Sequence, residues 1–217
     1  GNILIQKPIQ LIGIDQPVLN GNFVADVITV NANHVAISGF IIENSGRSDI
    51  KEMSGIGLMK CKYCSVSLCK LINNFFGIYA GNSSHCNFQN NIIINNTKTE
   101  SSGGNGIHLW HCDSMLLNSN FVKACRDGIY FEFVSNSTIS NNVSTAHLRY
   151  GIHFMFSDHD EYFNNTFYNN GSGVAVMYSN HVYMHENRFV ENKGGAAYGI
   201  LLKEITDSHI QQNDFTQ

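Results

Sequence analysis

From residue 55 onward, seven glycines are each followed by a β-branched aliphatic residue: Gly55, Gly77, Gly106, Gly128, Gly151, Gly173 and Gly199. Their intervals are 22, 29, 22, 23, 22 and 26 residues, which a 22-residue unit with insertions of 7, 1 and 4 reproduces. Stacking the units aligns further columns. The position after the glycine reads Ile56, Ile78, Ile107, Ile129, Ile152, Val174 and Ile200. Two residues later come Leu58, Ala80, Leu109, Phe131, Phe154, Val176 and Leu202, all apolar. Eleven after the glycine stand Val66, Phe88, Leu117, Ile139, Tyr162, Met184 and Ile210. Fourteen after it stand Cys69, Asn91, Asn120, Asn142, Asn165, Asn187 and Asn213. A unit this short cannot bury its apolar face alone, so repeats of this kind stack into one continuous core.

The alternation after each glycine has period two, the signature of a strand, and no helical stripe competes with it. The 28 asparagines and 19 glycines, spread along the chain, favour turns and weaken helices. The expected fold is therefore all-β: a right-handed, single-stranded parallel β-helix with coils of about 22 residues. Its handedness is assigned from the usual sense of parallel crossovers. Coils would lie ~4.8 Å apart, so like residues stack on like. The asparagine column is expected at a turn, where its amides can bond to each other and to the backbone and where Asn tolerates left-handed geometry. Residues 1–54 fit more loosely. Val27–Val30 and Val35–Ile42 read as one earlier coil, and Ile3–Ile5 with Gln10–Ile12 as part of another. The chain reads as one domain over residues 1–217, compatible with a fragment of a longer chain.

Composition excludes several classes. An apolar content of 43% is enough for a core, and a net charge of −4 gives no footprint for nucleic acid. No stretch is apolar for long enough to form a membrane-spanning helix. The opening residues Gly1–Pro8 lack the features of a signal peptide and already read as strand.

The insertions Ser45–Ser54, Thr97–Asn105 and Lys193–Tyr198 each precede a repeat glycine. Insertions in solenoids gather on one face, often the binding face. That points to the strand opening each coil, whose second and fourth residues should face outward. The second-position column is Gly57, Tyr79, His108, Tyr130, His153, Ala175 and Leu201. The fourth is Met59, Gly81, Trp110, Glu132, Met155, Met177 and Lys203. Met155 and Met177 are neighbours on successive coils, and His153 shares their face. Two thioethers and an imidazole without a nearby carboxylate suit Cu(I) better than Ca²⁺ or Mg²⁺. The plainer alternative is an apolar patch for a partner protein. His108 and Trp110 could extend either kind of site, although stacking on Tyr79 and Tyr130 accounts for them more simply. His147 and His159 border the patch as outside candidates, while His34, His85, His181, His185 and His209 read as surface or stacked rings.

The strings Gly104–Trp110, Arg126–Ile129, Arg149–Met155, Ala175–Ser179 and Gly199–Lys203, with the opening Ile3–Pro8, resemble the NosD family over essentially the whole chain. The resemblance implies a periplasmic copper-handling β-helix. It also implies work beside an ABC-type transporter made of an ATPase and a membrane subunit. Copper would come from a lipoprotein chaperone and would support assembly of the copper clusters of nitrous oxide reductase. The family's His-x-Met and downstream Met patterns match His153, Met155 and Met177. On this reading Cu(I) docks on the open face, the loops 45–54 and 97–105 help a partner dock, and the chain is not an enzyme.

Two rivals stand beside it. Parallel β-helices also host polysaccharide lyases, glycosidases and epimerases, but fold does not fix function. Those chemistries need carboxylates, and the outward columns hold one acid, Glu132. Asp158–Glu161 reads as a solvated turn. A purely structural or adhesive solenoid, binding sugar faces or protein through Tyr and Trp, is the second. Of the six cysteines, Cys64 and Cys86 share a column on adjacent coils, close enough for a disulfide, and inert thiol packing is the favoured alternative. Cys61 and Cys112 share a column two coils apart. The six Asn-x-Ser/Thr matches follow from composition, and several fall in the asparagine column, so no glycan is assigned.

Overall fold

A computed structural model describes residues 2–48, 50–194 and 199–216. The chain winds through three parallel sheets of nine strands each, every coil giving one short strand to each sheet. The registers reproduce the repeat columns: Ile56, Ile78, Ile107, Ile129, Ile152, Val174 and Ile200 pair in one file. The first-sheet strands include Ser54–Met59, Phe76–Gly81, Ile107–Trp110, Ile129–Glu132, Tyr150–Met155 and Ser172–Asn180. Helix among the described residues is confined to one 3-10 turn, Glu100–Ser102, inside the second insertion. The earlier segment supplies two full coils, beginning with the strands Ile3–Ile5 and Ile28–Val30.

The core is the stack of inward columns. Ile56, Leu58, Val66, Leu71, Ile78, Phe88, Ile93, Leu109, Phe131, Phe154, Tyr162 and Phe167 lie in one buried cluster running up the axis. The aliphatic file and the file of Leu58, Ala80, Leu109, Phe131 and Phe154 come from the first sheet. Val66, Phe88, Leu117, Ile139 and Tyr162 come from the second, so the three sheets close on each other without a central pore.

The asparagine column differs from the sequence expectation in one respect. Asn91, Asn120, Asn142, Asn165 and Asn187 are buried and do not adopt left-handed geometry. Each receives the backbone N–H of its counterpart one coil earlier and donates from Nδ2 to an earlier carbonyl. For Asn142 the distances are 2.9 Å from Asn120 N and 3.0 Å to Leu117 O. The left-handed turn falls to the residue just before, as at Asn90, Asn141 and Asn164, with φ of 54°, 57° and 53°. The bend thus divides two duties, corner geometry and amide satisfaction, between adjacent residues.

A second internal ladder, at the third corner, was not visible in the sequence. Asn74 N–H donates to Asn95 Oδ1 at 3.1 Å, His147 N–H to Asn170 Oδ1 at 3.0 Å, and Asn170 N–H to Asn192 Oδ1 at 3.1 Å. His147 replaces an asparagine within it and accepts from Cys125 N–H through Nδ1 at 3.0 Å. His147 is therefore an interior rung and does not border the outward patch. Burial holds its imidazole neutral, down to about 4.

All six cysteines are free and buried, the packed state favoured by the sequence reading. Cys61 and Cys64 line the first corner from within, with Cys86 beneath Cys64 on the next coil. Cys112 lies in the column of Cys61, with Ser83 between them.

Candidate functional site

The outward columns of the first sheet depart from expectation in their exposure. Tyr79, His108, Tyr130 and His153 face away from the aliphatic core, yet each is buried, His108 at 8% and His153 at 6% exposure. They cover one another. Phe76, Tyr79, His108, Tyr130 and His153 form a continuous file of rings with neighbouring centroids 4.7 to 5.9 Å apart. Tyr150 closes on His153 at 4.8 Å. A strand's alternation fixes which way a side chain points, but mutual packing decides whether water reaches it.

Met155 and Met177 are register partners on adjacent coils, and both are half-buried. The Tyr130 hydroxyl donates to Met155 Sδ at 3.4 Å, and its ring lies 4.8 Å from that of His153. Tyr130 thus touches both the imidazole and the first thioether. The strand Tyr150–Met155 carries His153 and Met155 on one face, and the long strand Ser172–Asn180 brings Met177 alongside. Lys203, next in the column after Met177, turns toward the Tyr178 ring, with Nζ 5.0 Å from its centroid.

His153 is unusual in a second way. Neither ring nitrogen has a hydrogen-bond partner in the protein, and both are buried. An unsatisfied buried polar atom costs ~1–3 kcal/mol, so a partner for either nitrogen would recover that cost. Its Nδ1 lies 3.7 Å from Asp127 Oδ2. Asp127 is itself fully buried and held by Arg149, whose Nε donates to Oδ1 at 2.9 Å and whose Nη2 donates to Oδ2. Burial pushes the Asp127 carboxyl up, but the adjoining His153 ring and then Arg149 outweigh it and bring it down to about 2. A carboxylate behind one nitrogen of an imidazole is the arrangement that orients a histidine for ligation through the other. Sequence reading did not pick out Asp127. It lies one residue before a repeat glycine, in a column that otherwise holds Ser54, Phe76, Asn105, Tyr150 and Ser172.

The remaining candidates sit elsewhere. His108 lies two coils before His153, and its Nδ1 meets Asn105 Nδ2 at 3.3 Å. Arg126 Nε donates to Asn105 Oδ1 at 3.3 Å, which fixes the amide and makes His108 Nδ1 an acceptor. The His108 proton is then on Nε2, so this ring offers a donor there. Trp110 is half-buried, two residues further along the same strand. His159 lies past the first corner, exposed, and stacks on His181 at 4.5 Å rather than joining the methionines. Asp158–Glu161 is not wholly a solvated turn. Asp160 is buried, accepting from Ser137 N–H at 2.9 Å through Oδ1, while Oδ2 has no partner. Burial raises its carboxyl well above the usual range, followed by the N–H of Ser137 acting in the opposite direction.

The first two insertions meet on one corner. Arg47 of the first donates to the carbonyls of Ser101 and Ser102 in the second, the latter at 3.2 Å. The third insertion falls mostly on residues 195–198, outside the described residues. Beside the methionine pair, the first corner carries an outward file of rings. His111, Phe133, Phe156 and Tyr178 stack at 4.6, 5.1 and 5.2 Å. All four occupy the left-handed region, φ 49° to 55°, where bulky side chains are uncommon, and Phe133, Phe156 and Tyr178 are exposed.

Among the described residues, no group of three or more His, Cys, Asp or Glu is arranged to hold a metal ion. Met155, Met177 and His153 place two thioethers and an imidazole on one outward face. Among the described residues no helix is long and apolar enough to cross a membrane.

Comparison with known proteins places the chain further. Among solved structures, it is similar to the tailspike protein of Dettilon, with TM-score 0.74 and 15% identity, covering 99% of this chain and 54% of that one. It is also similar to an alginate lyase from Paenibacillus sp. str. FPU-7, with TM-score 0.55 and 12% identity over 98% and 92% of the two chains. A DFA-IIIase from Arthrobacter chlorophenolicus A6 gives TM-score 0.60 and 16% identity over 89% and 62%. The chain thus spans about half the length of the tailspike, and at these identities the likeness establishes the fold alone. No curated protein sequence matches it. A family model described as periplasmic copper-binding protein (NosD) matches residues 2–103 and 95–217. The chain belongs to the NosD family of periplasmic copper-binding proteins.

Proposed function

We propose that this chain is a periplasmic copper carrier that takes Cu(I) as cargo on the outer face of its first sheet, at Met155, Met177 and His153. The observation that carries the reading is the buried His153 ring, with both nitrogens unsatisfied, set beside two register-paired thioethers. Family membership supplies the metal, and the donor set supplies its oxidation state, since thioethers prefer Cu(I). Each residue has a definable task. Asp127 and Arg149 hold the imidazole in place, with Nε2 left for the ion. Tyr130 restrains Met155 through its hydroxyl. The strands carry the three donors on one face of two adjacent coils, with the outer side left for an incoming ligand from a partner. Half-burial of both methionines suits transfer, because a partner can reach them.

Cu(I) would be received from a lipoprotein chaperone and passed on in support of the copper clusters of nitrous oxide reductase, beside an ABC-type transporter. The exposed Phe133, Phe156 and Tyr178 rings flank the methionines and would give such a partner an apolar footing, with the bridged loops 45–54 and 97–105 further along the face. No covalent bond is made or broken, so the reading is non-enzymatic. The fold's carbohydrate-active neighbours motivate the rival reading, but Asp160, the buried member of the acidic turn, is tied to Ser137 and faces the interior.

The test is an anaerobic Cu(I) titration against a chromophoric competitor, run on the parent and on a Met155→Ala/Met177→Ala variant. The parent should bind, and the variant should bind at least tenfold more weakly while keeping its far-UV circular dichroism. Equal binding by both would move copper to another site, and absence of binding by the parent would remove the reading.

A further inference from the structure

Two coils before the methionine pair, the same face opens into a cavity of about 240 Å³ lined by Glu52, Met59, Tyr79, His108, Trp110 and Glu132. A neighbouring hollow of about 210 Å³ shares Glu52, Met59 and Tyr79 and extends it toward Asp26 and Thr29. The opening has a cause in the repeat. The fourth-position column reads Met59, Gly81, Trp110 and Glu132 in register, so Gly81 leaves a missing side chain directly beside the indole. Met59 leans across this gap, its Sδ only 3.1 Å from where a Gly81 Cβ would stand. The first insertion supplies Glu52 as the outer wall.

The polar groups that line this hollow are partly unused. His108 is more than nine-tenths buried, and its Nδ1 is occupied by Asn105, which puts its proton on Nε2, where it has no hydrogen-bond acceptor among the described residues. Burial, followed by the Arg126 charge, keeps the ring neutral, down to about 3. The Tyr79 hydroxyl likewise has no hydrogen-bond partner among the described residues, although its ring is buried. Opposite these two donors stand the carboxylates of Glu52 and Glu132, which only accept at neutral pH. The site therefore offers donors and acceptors together with an indole platform and a thioether.

These features select a ligand class by elimination. The two carboxylates repel uronates, phosphates and other anions, while Asp26 beyond them is paired with Lys51. A small organic cation would satisfy the glutamates and the rings, but its cationic head brings no acceptor for the His108 and Tyr79 protons. A metal ion finds no lone pair on His108. A ring bearing several uncharged hydroxyls both accepts and donates, and its apolar face can lie on an indole. The geometry points to a binding site for an uncharged saccharide at Trp110, separate from the Met155/Met177 patch and independent of the copper reading.

Trp110 is the single tryptophan of the chain, so its emission reports on this cavity alone. Cellohexaose, maltohexaose and chitotetraose (fully N-acetylated) would each be titrated into the whole chain, with choline and trigalacturonate as charged comparisons. Fluorescence and calorimetry would be read together. At least one uncharged sugar should give a saturable shift of Trp110 emission with matching heat. A Glu52→Gln/Tyr79→Phe variant should weaken that binding at least tenfold, because it removes one acceptor charge and one donor while keeping both shapes. The Met155→Ala/Met177→Ala variant should bind the sugar as the parent does, whatever its behaviour toward copper. No saturable signal from any of the three sugars would overturn the proposal. So would a response confined to choline or trigalacturonate, or sugar binding unchanged in the Glu52/Tyr79 variant.

Discussion

Replacing Asn142 with alanine tests the internal amide ladder, and its cost can be worked from the bonds it removes. Asn142 Oδ1 accepts from Asn120 N–H at 2.9 Å and from Asn120 Nδ2 at 3.0 Å. Its own Nδ2 reaches Leu117 O, Ser140 O and Asn165 Oδ1, each at 3.0 Å. Asn120 Nδ2 keeps Phe88 O at 2.8 Å, and Asn165 Oδ1 keeps Asn142 N–H at 2.9 Å. What is stranded is the Asn120 backbone N–H, in a buried site, at ~1–3 kcal/mol. The lost amide bonds and the small void bring the total to about 3–5 kcal/mol. For a domain of this size ~1 kcal/mol moves the melting temperature by roughly 2–4 °C, so a fall of about 10 °C is expected. The neighbouring Asn141 supplies the contrast. It is exposed and left-handed at φ 57°, so Asn141→Gly should leave stability within ~0.5 kcal/mol of the parent. Urea and thermal melts followed by circular dichroism would measure both. Equal, small effects at the two positions would refute the division of labour between corner residue and ladder residue.

Asp160→Asn should stabilise the protein at pH 7. A carboxyl whose folded pKa is raised must take up a proton to fold above its unfolded value, so stability is lost as pH rises beyond about 4, and the amide has no such step. Urea midpoints of parent and variant should therefore converge near pH 3 and separate at pH 7; parallel curves would show that Asp160 does not titrate on unfolding. A thiol reagent such as Ellman's should react with few of the six cysteines in the native protein and with all six in guanidinium chloride, given their burial. Rapid native reaction at Cys64 would show that the first corner opens.

Much of the fold was legible because solenoid packing writes the same requirement once per coil. The file Ile56 to Ile200 and the asparagine column are independent samples of one interior position, and they agree. The third-corner ladder escaped notice because the insertion Thr97–Asn105 breaks its spacing and because Cys125 and His147 replace asparagine in two of its rungs. Direction along the first sheet was also legible, exposure was not: His108 and His153 point away from the core yet are sealed by Tyr79, Tyr130 and Tyr150. Periodicity reports the orientation of a side chain within its own strand, whereas coverage depends on ring sizes in three successive coils. Asp127 was hidden for a related reason. Its partner Arg149 is 22 residues away, one coil later, and nothing in the spacing of charges marks the pair. Asp160 was misplaced because an acidic run normally faces water, and here one member of the run falls on an inward column.

The parallel register gives every site on the first sheet a position along a single axis. Each coil adds a fixed step of ~4.8 Å, set by backbone hydrogen bonds and not by the side chains it carries. Trp110 and Met155 are two steps apart, and Met177 is one step beyond. Distance between functional patches is therefore a whole-number quantity in this molecule. Duplicating residues 127–149 would lengthen the gap between cavity and methionine pair by one step, and the copied Asp127 and Arg149 would keep their place beside His153. A chain built this way can retune spacing toward a partner by gene-level copying of one unit, with no need to redesign either patch.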